Sequence, residues 1–190
     1  LRPIGAHHPA IRQARSLLRH PGTDPGNHFL IEGLRIHRLI LDLGIELETV
    51  MLQPDRLAGR TAKSLAGAIV SRSEQAYRIS EKICASISSR DGTSGLFSIG
   101  RFPRRSLDSI EIGPRMRILI LDGWEMPGNI GTVIRSADGA GANAVILVNT
   151  RTSPVQPLVI RVSQGACFAL PVLTADAGVA ASILLYESME

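Results

Sequence analysis

Ile118-Leu119-Ile120-Leu121-Asp122-Gly123, followed by Pro127-Gly128-Asn129-Ile130-Gly131-Thr132-Val133-Ile134-Arg135-Ser136-Ala137, reads as a strand, a tight glycine-rich turn and a helix. The apolar run of the strand predicts burial on both faces, as in a parallel sheet. Asn129 is expected at the N-cap, where its side-chain oxygen would accept from a free N–H of the first turn. Ile130, Val133, Ile134 and Ala137 recur at helical spacing and form one core-facing stripe, with Arg135 at its flank. Six residues of helix rise about 9 Å, and helical side chains lean toward the N-terminus. Arg135 can therefore reach toward the carboxyl end of the strand, where open α/β sheets bind ligands. A capped helix in a βαβ unit with a solvated arginine accounts for the same pattern. Neither G-x-G-x-x-G nor G-K-S/T follows the strand, so generic dinucleotide or P-loop chemistry is not supported.

Outward from this stretch, Ala144 to Val148 repeats the buried-strand pattern and should lie parallel to the first strand, joined by a right-handed crossover. Upstream, the pattern predicts a basic helix near 9–20, a strand at Phe29–Ile31, a helix Leu34–Leu43 and a strand Thr49–Leu52. A helix over 56–70, a strand Tyr77–Ile79, a helix Glu81–Ile87 and a strand Leu96–Phe102 follow. Such alternation indicates a small α/β/α domain over 1–102. A linker over 103–116, rich in proline and arginine, leads to a second α/β domain over 117–190.

Composition narrows the class. With 44% hydrophobic and 20% charged residues, the 190-residue chain is globular rather than disordered. No apolar run approaches the roughly 20 residues of a membrane span, and no signal segment opens the chain, so a cytoplasmic place is expected. Cys84 and Cys167 lack C-x-x-C spacing and are expected to be buried hydrophobes. The five histidines, all within the first 37 residues, have no metal-site spacing and are expected to face solvent. The net charge is +4, and only Lys63 and Lys82 are lysines among 21 basic residues. Arginine binds phosphate bidentately and stacks on bases, which suits RNA, although genomic base composition also produces such a bias. Arg12, Arg15 and Arg19 at helical spacing fit a nucleic-acid footprint or a solvated helix face equally. With aromatics at 4%, an extended stacking platform is not expected.

The string containing Asn129, Gly131 and Arg135 resembles the N-x-G-x-x-x-R motif of the SpoU/TrmH class of SPOUT methyltransferases. The Val159–Ala166 segment is similar to that family's R-x-S-x-G-A helix, and Phe168–Val172 resembles its next strand. His28–Arg35 is similar to the F-L-V-E-G-x-R opening of the small substrate-binding domain that many members carry, and Ser86–Ile99 resembles that domain's last helix and strand. The resemblance implies a small ribosomal-protein-like α/β/α domain and a Rossmann-like SPOUT domain with a parallel sheet and a C-terminal trefoil knot. It further implies transfer of a methyl group from S-adenosylmethionine to a ribose 2′-hydroxyl of RNA, ribosomal RNA being favoured, by a homodimer without a metal.

By the same resemblance Arg135 activates the hydroxyl and Asn129 places Arg135 or the RNA. Arg161 and Ser163 contact RNA phosphate or simply finish a helix, and Glu32 and Arg35 read RNA or form a surface pair. The family's knot motifs, G-x-E-x-x-G and S-L-N-V, do not appear in the sequence, so no cofactor-contacting residue is assigned. Val179–Glu187 nonetheless looks like the helix that follows S-L-N-V. A segment is therefore missing near 177–178: either it has been lost, or these residues join two sides of a longer chain, the second being expected. The start at Leu1 in place of Met likewise suggests a trimmed beginning. The alternative to an enzyme is an RNA-binding protein with a degenerate methyltransferase domain.

Overall fold

The computed structural model describes residues 1–89, 94–103, 105–106, 110 and 115–178. They group into two compact units, Leu1–Phe102 with Val155–Pro157, and Pro103–Pro154 with Leu158–Glu190. Much of the expected linker and the expected final helix at Val179–Glu187 lie outside the described residues.

The first unit runs β1 (Arg2–Pro3), α1 (Pro9–Arg19), β2 (His28–Glu32), α2 (Leu34–Asp42), β3 (Leu47–Leu52), a 3-10 turn (Pro54–Arg56), α3 (Gly59–Ser71), β4 (Ser73–Arg78), α4 (Glu81–Ile87) and β5 (Leu96–Arg101). Its sheet has the order β1-β4-β3-β5-β2. β1, β4 and β3 are mutually parallel, whereas β5 runs antiparallel to both β3 and β2. Strand alternation divides β5 between two layers. Phe97 and Ile99 join Ile11, Ala14 and Leu17 of α1 and Ile83, Cys84 and Ile87 of α4 in one core cluster. Ser98, between them, points to the opposite face and meets His37 of α2.

Histidines supply a correction here. His7 and His20 are exposed, but His8 caps α1, its Nδ1 accepting from the Ala10 N–H at 3.3 Å. His28 is held between Asp24 at 2.7 Å and Glu48 at 3.1 Å. His37 is fully buried, with Nδ1 2.7 Å from the Gly33 carbonyl and Nε2 2.8 Å from Ser98 Oγ. Burial disfavours its charged form and lowers its pKa to about 4. The Gly33 carbonyl calls for a proton on Nδ1, which leaves Nε2 to accept from the Ser98 hydroxyl. The signal was its position: His37 falls between Ile36 and Ile40 on the buried stripe of α2.

The second unit runs β6 (Ile118–Asp122), α5 (Pro127–Gly139), β7 (Ala144–Val148), α6 (Pro157–Val162), α7 (Ala166–Ala169) and β8 (Val172–Ala175). Among the described residues its strands, in the order β6-β7-β8, are all parallel. Burial on both faces belongs to the central β7, every residue of which is buried. β6 was expected to share it, but Ile118, Leu119 and Ile120 are only half-buried. Among the described residues β6 has β7 as its one strand neighbour, a long-range fact that a local apolar run does not encode. Ala144, Ile146, Val148 and Leu173 form the core of one face, flanked by Ile118, Ile120 and Ala175. Both cysteines are buried, and burial pushes the Cys167 thiol up to about 12.

Candidate functional site

β6, β7 and β8 end side by side, the register pairing Asp122 with Val148 and Val148 with Ala175. The loops leaving these ends form one polar rim. Asn149, in the left-handed region at φ 51°, donates from Nδ2 to Asp122 Oδ1 at 2.7 Å, and the Gly123 N–H donates to the Val148 carbonyl at 3.0 Å. The Thr150 hydroxyl donates to the Trp124 carbonyl, and the Thr152 hydroxyl to the Glu125 carbonyl at 2.7 Å. The Arg151 N–H lies 3.3 Å from both oxygens of the Glu125 carboxylate. The loop after β7 thus clamps the loop after β6 through backbone carbonyls and one carboxylate.

An open cavity of about 790 Å³ lies at this rim, lined in part by Glu125, Asn149, Thr150, Arg151, Leu173 and Asp176. That volume is in the range of small-molecule sites, and the place is the carboxyl-end crevice of a parallel sheet. Arg105, also on the wall, donates to the Phe168 and Ala169 carbonyls at 3.1 and 3.3 Å, satisfying the end of α7. Of the cavity residues only Arg105 belonged to a group singled out from the sequence, the arginine cluster around Pro103. The signal available was the polar run Asn149-Thr150-Arg151-Thr152 directly after a buried strand.

α5 starts beside this rim. Pro127 occupies its first turn and Met126 is the N-cap, without a side-chain cap bond. Asn129 therefore lies inside the first turn, and the expected capping role is corrected. Proline fits the first helical position because its fixed φ is helical and its missing N–H would be unpaired there anyway. Ile130, Gly131, Ile134 and Ala137 make the buried stripe, with Val133 only half-buried.

On the opposite side, Asn129, Thr132, Arg135 and Ser136 are exposed. At about 100° per residue these four span roughly a third of the helix circumference. The Thr132 hydroxyl donates to the Gly128 carbonyl at 2.9 Å. The side chains of Asn129 and Arg135 have no hydrogen-bond or ion-pair partner among the described residues.

The two glycines of the motif are not equivalent. A Cβ on Gly131 would sit 2.9 Å from the Val159 carbonyl oxygen, 2.9 Å from Val162 Cβ and 3.1 Å from the Ser163 nitrogen, whereas one on Gly128 would meet nothing within 4 Å. Gly131 therefore lets α6 approach the backbone of α5, and this contact ties the Asn129 segment to the Arg161–Ser163 segment.

The remaining sequence-derived residues divide. Arg161 is half-buried in the last turn of α6. Ser163 is 1% exposed, and its hydroxyl donates to the Ile160 carbonyl at 3.1 Å, which is the helix-finishing role. In the first unit Arg35 is exposed in the first turn of α2. Glu32 is buried, its carboxylate accepting from the Ser88 hydroxyl at 2.9 and 3.0 Å and from the Ser89 and Ser94 N–H groups at 3.3 and 3.4 Å. It is a fixture of its own fold, not an exposed partner of Arg35. Arg15, from the expected basic helix face, is also occupied, donating to Ser86 Oγ at 2.8 Å and the Ala6 carbonyl at 3.0 Å. Among the described residues no group of histidine, cysteine and carboxylate side chains could hold a metal ion, and no helix is long and apolar enough to cross a membrane.

Residues 116–186 match the SpoU rRNA Methylase family, and residues 8–98 match the MRM3-like substrate binding domain. Among curated proteins, the 23S rRNA (uridine(2479)-2′-O)-methyltransferase of Streptomyces viridochromogenes is 27% identical over 172 residues, 90% of this chain and 59% of that protein. A 23S rRNA (guanosine(2553)-2′-O)-methyltransferase of Bacillus subtilis is 26% identical over 148 residues, 77% of this chain and 54% of its own length. The chain thus spans little more than half the length of these relatives.

Among solved structures, an RNA 2′-O ribose methyltransferase superposes with a TM-score of 0.80 at 31% identity, covering 100% of this chain and 71% of that one. The AdoMet-bound rRNA methyltransferase of Sinorhizobium meliloti gives a TM-score of 0.83 at 27% identity, over 97% of this chain and 68% of its own. Since one of these structures is 31% identical and is covered over 71% of its length, this chain belongs to the SpoU rRNA methylase family.

Proposed function

We propose that the protein transfers a methyl group from S-adenosylmethionine to a ribose 2′-hydroxyl of RNA, ribosomal RNA being the favoured substrate. The observation that carries this reading is the exposed pair Asn129 and Arg135, without a partner among the described residues, on a helix that starts at the carboxyl-end rim of a parallel sheet, beside a cavity of small-molecule size. The relatives named for 2′-O-methylation of 23S rRNA and the AdoMet-bound structure support it.

The cavity's side chains fit the cofactor's chemistry. Glu125 and Asp176 suit a ribose diol or an ammonium, Arg151 a carboxylate, and Leu173 and Ala175 the face of a purine. When bound, the cofactor supplies an electrophilic methyl group on a sulfonium. Arg135 then has a defined task. A ribose hydroxyl holds its proton tightly, and a guanidinium with a pKa above about 12 stays charged, so it is no ordinary base. Its fixed fork of donors orients the hydroxyl and a neighbouring phosphate, and the proton leaves through phosphate or water. Asn129, six residues nearer the rim, places the RNA or Arg135. Arg35 and Arg161 add phosphate contacts. The reading takes the protein to act as a cytoplasmic homodimer, with a knotted carboxyl-terminal segment completing the cofactor pocket.

The test is incubation with methyl-tritiated S-adenosylmethionine and an unmodified 23S ribosomal RNA transcript, followed by nuclease digestion. Label in a 2′-O-methylated nucleoside is the expected result. RNA bound without incorporation of label would overturn the reading in favour of a binding protein.

A further inference from the structure

One side chain on the cavity wall comes from outside both matched regions. Arg105 lies between residues 98 and 116, where neither the substrate-binding match nor the methylase match extends, yet it belongs to the second unit and lines the cavity. Its guanidinium is anchored, with Nη1 donating to the Ala169 carbonyl at 3.3 Å and Nη2 to the Phe168 carbonyl at 3.1 Å. A guanidinium has five N–H donors, and two are used here, so three stay without a partner among the described residues. Both acceptors are neutral. Arg56, Arg78 and Arg101 each have a carboxylate partner, but no carboxylate pairs with Arg105 among the described residues. A half-buried cation is thus fixed at one edge, and its charge is left unbalanced at the wall of a cavity.

We propose that Arg105 binds the carboxylate of S-adenosylmethionine, which makes a residue of the segment between the two matched regions part of the cofactor site. The proposal rests on the methyltransferase reading above.

The cofactor carries one carboxylate, and two guanidinium groups, those of Arg105 and Arg151, line the cavity. Burial and fixation select Arg105. Arg105 is half-buried whereas Arg151 is exposed, and a charge-assisted hydrogen bond gains more where water is partly excluded. The Phe168 and Ala169 carbonyls already hold the fork of Arg105, so a bidentate contact costs it little further side-chain freedom. Arg151 is held through its backbone N–H, at the Glu125 carboxylate, and its side chain has no partner among the described residues to fix it.

The full chain is titrated by calorimetry with S-adenosylmethionine and with decarboxylated S-adenosylmethionine, which keeps the sulfonium, the ammonium and the nucleoside. The parent is expected to prefer the carboxylated form by about 10- to 100-fold, the scale of a hydrogen-bonded charge pair. Arg105→Gln keeps a donor for the carbonyls at the end of α7 and loses the charge. It should lose that preference, binding S-adenosylmethionine more weakly by the same factor and the decarboxylated form as the parent does. Arg105→Lys, which keeps the charge without the fork, should fall between the two. Equal weakening of both ligands in Arg105→Gln overturns the subsite, because the arginine then only holds the end of α7. Loss of the preference in Arg151→Ala and not in Arg105→Gln overturns it in favour of Arg151. A parent that binds both ligands equally overturns the subsite and leaves the methyltransferase reading intact, whereas a parent that binds neither overturns both.

Discussion

The inward-turned polar side chains of the first unit and those on the outer face of α5 are treated in opposite ways. In the first, Glu32, His37 and Arg15 turn inward or lie flat, and each finds partners: three serines for Glu32, a carbonyl and a hydroxyl for His37, a hydroxyl and a carbonyl for Arg15. In the second, the polar residues of α5 stay outside, Asn129 and Arg135 without partners among the described residues, while threonines and Asn149 fix the loops beside the helix start. A buried polar group must be paired because desolvation otherwise costs free energy. An exposed, unpaired one on a rigid element costs little and remains available to a ligand. Pairing therefore separates residues that hold a fold from residues left available to a ligand, even where a motif contains both.

The contrast breaks first at His37. Its pKa lies near 4 when folded and near 6.5 when free, so between those values the unfolded chain binds the extra proton. Stability from this group is complete above about pH 6.5 and is lost as pH falls toward 4, a change of about 3 kcal/mol. Urea unfolding of the first unit across this window should show that loss, and His37→Gln should flatten it. A pH-independent midpoint would mean that His37 is not held neutral.

Next come the two glycines. Gly131→Ala should cost about 1–3 kcal/mol because the α5–α6 contact has no room for a methyl group, whereas Gly128→Ala should stay within about 0.5 kcal/mol. Equal thermal shifts for the two variants would remove the close approach from the account. The smallest effect concerns the basic helix face. Arg15→Ala should cost about 1 kcal/mol through its lost hydrogen bonds, and exposed Arg12→Ala close to nothing. Thermal unfolding of the pair would sharpen the division between fixtures and free cations.

Periodicity made most elements legible, and the strand–turn–helix at 118–137 pointed to the candidate site because local sequence encodes both the apolar strand and the amphipathic helix. Asn129 was misplaced because two local signals compete: a capping side chain at 129 and a proline at 127 that belongs in the first turn. The proline prevailed. Glu32 and Ser163 look like ligand residues in one dimension, but each is buried by partners distant in sequence or in the helix interior. The half-burial of β6 and the cavity depend on which strands become neighbours, and strand order is set by long-range pairing that no local pattern carries. Even so, a histidine spaced with isoleucines on an apolar stripe could have been read as buried.

Arg135 tests the central claim most directly, because it is exposed, has no partner among the described residues and lies outside the buried stripe of its helix. Arg135→Ala is compared with the parent for single-turnover methyl transfer to the unmodified ribosomal RNA transcript, with thermal unfolding measured on the same samples. The account predicts an unchanged melting temperature and a rate reduced by at least about 100-fold, the scale of losing one charged stabiliser at a reacting centre. A near-normal rate in a folded variant would contradict the assignment of the chemistry to this helix.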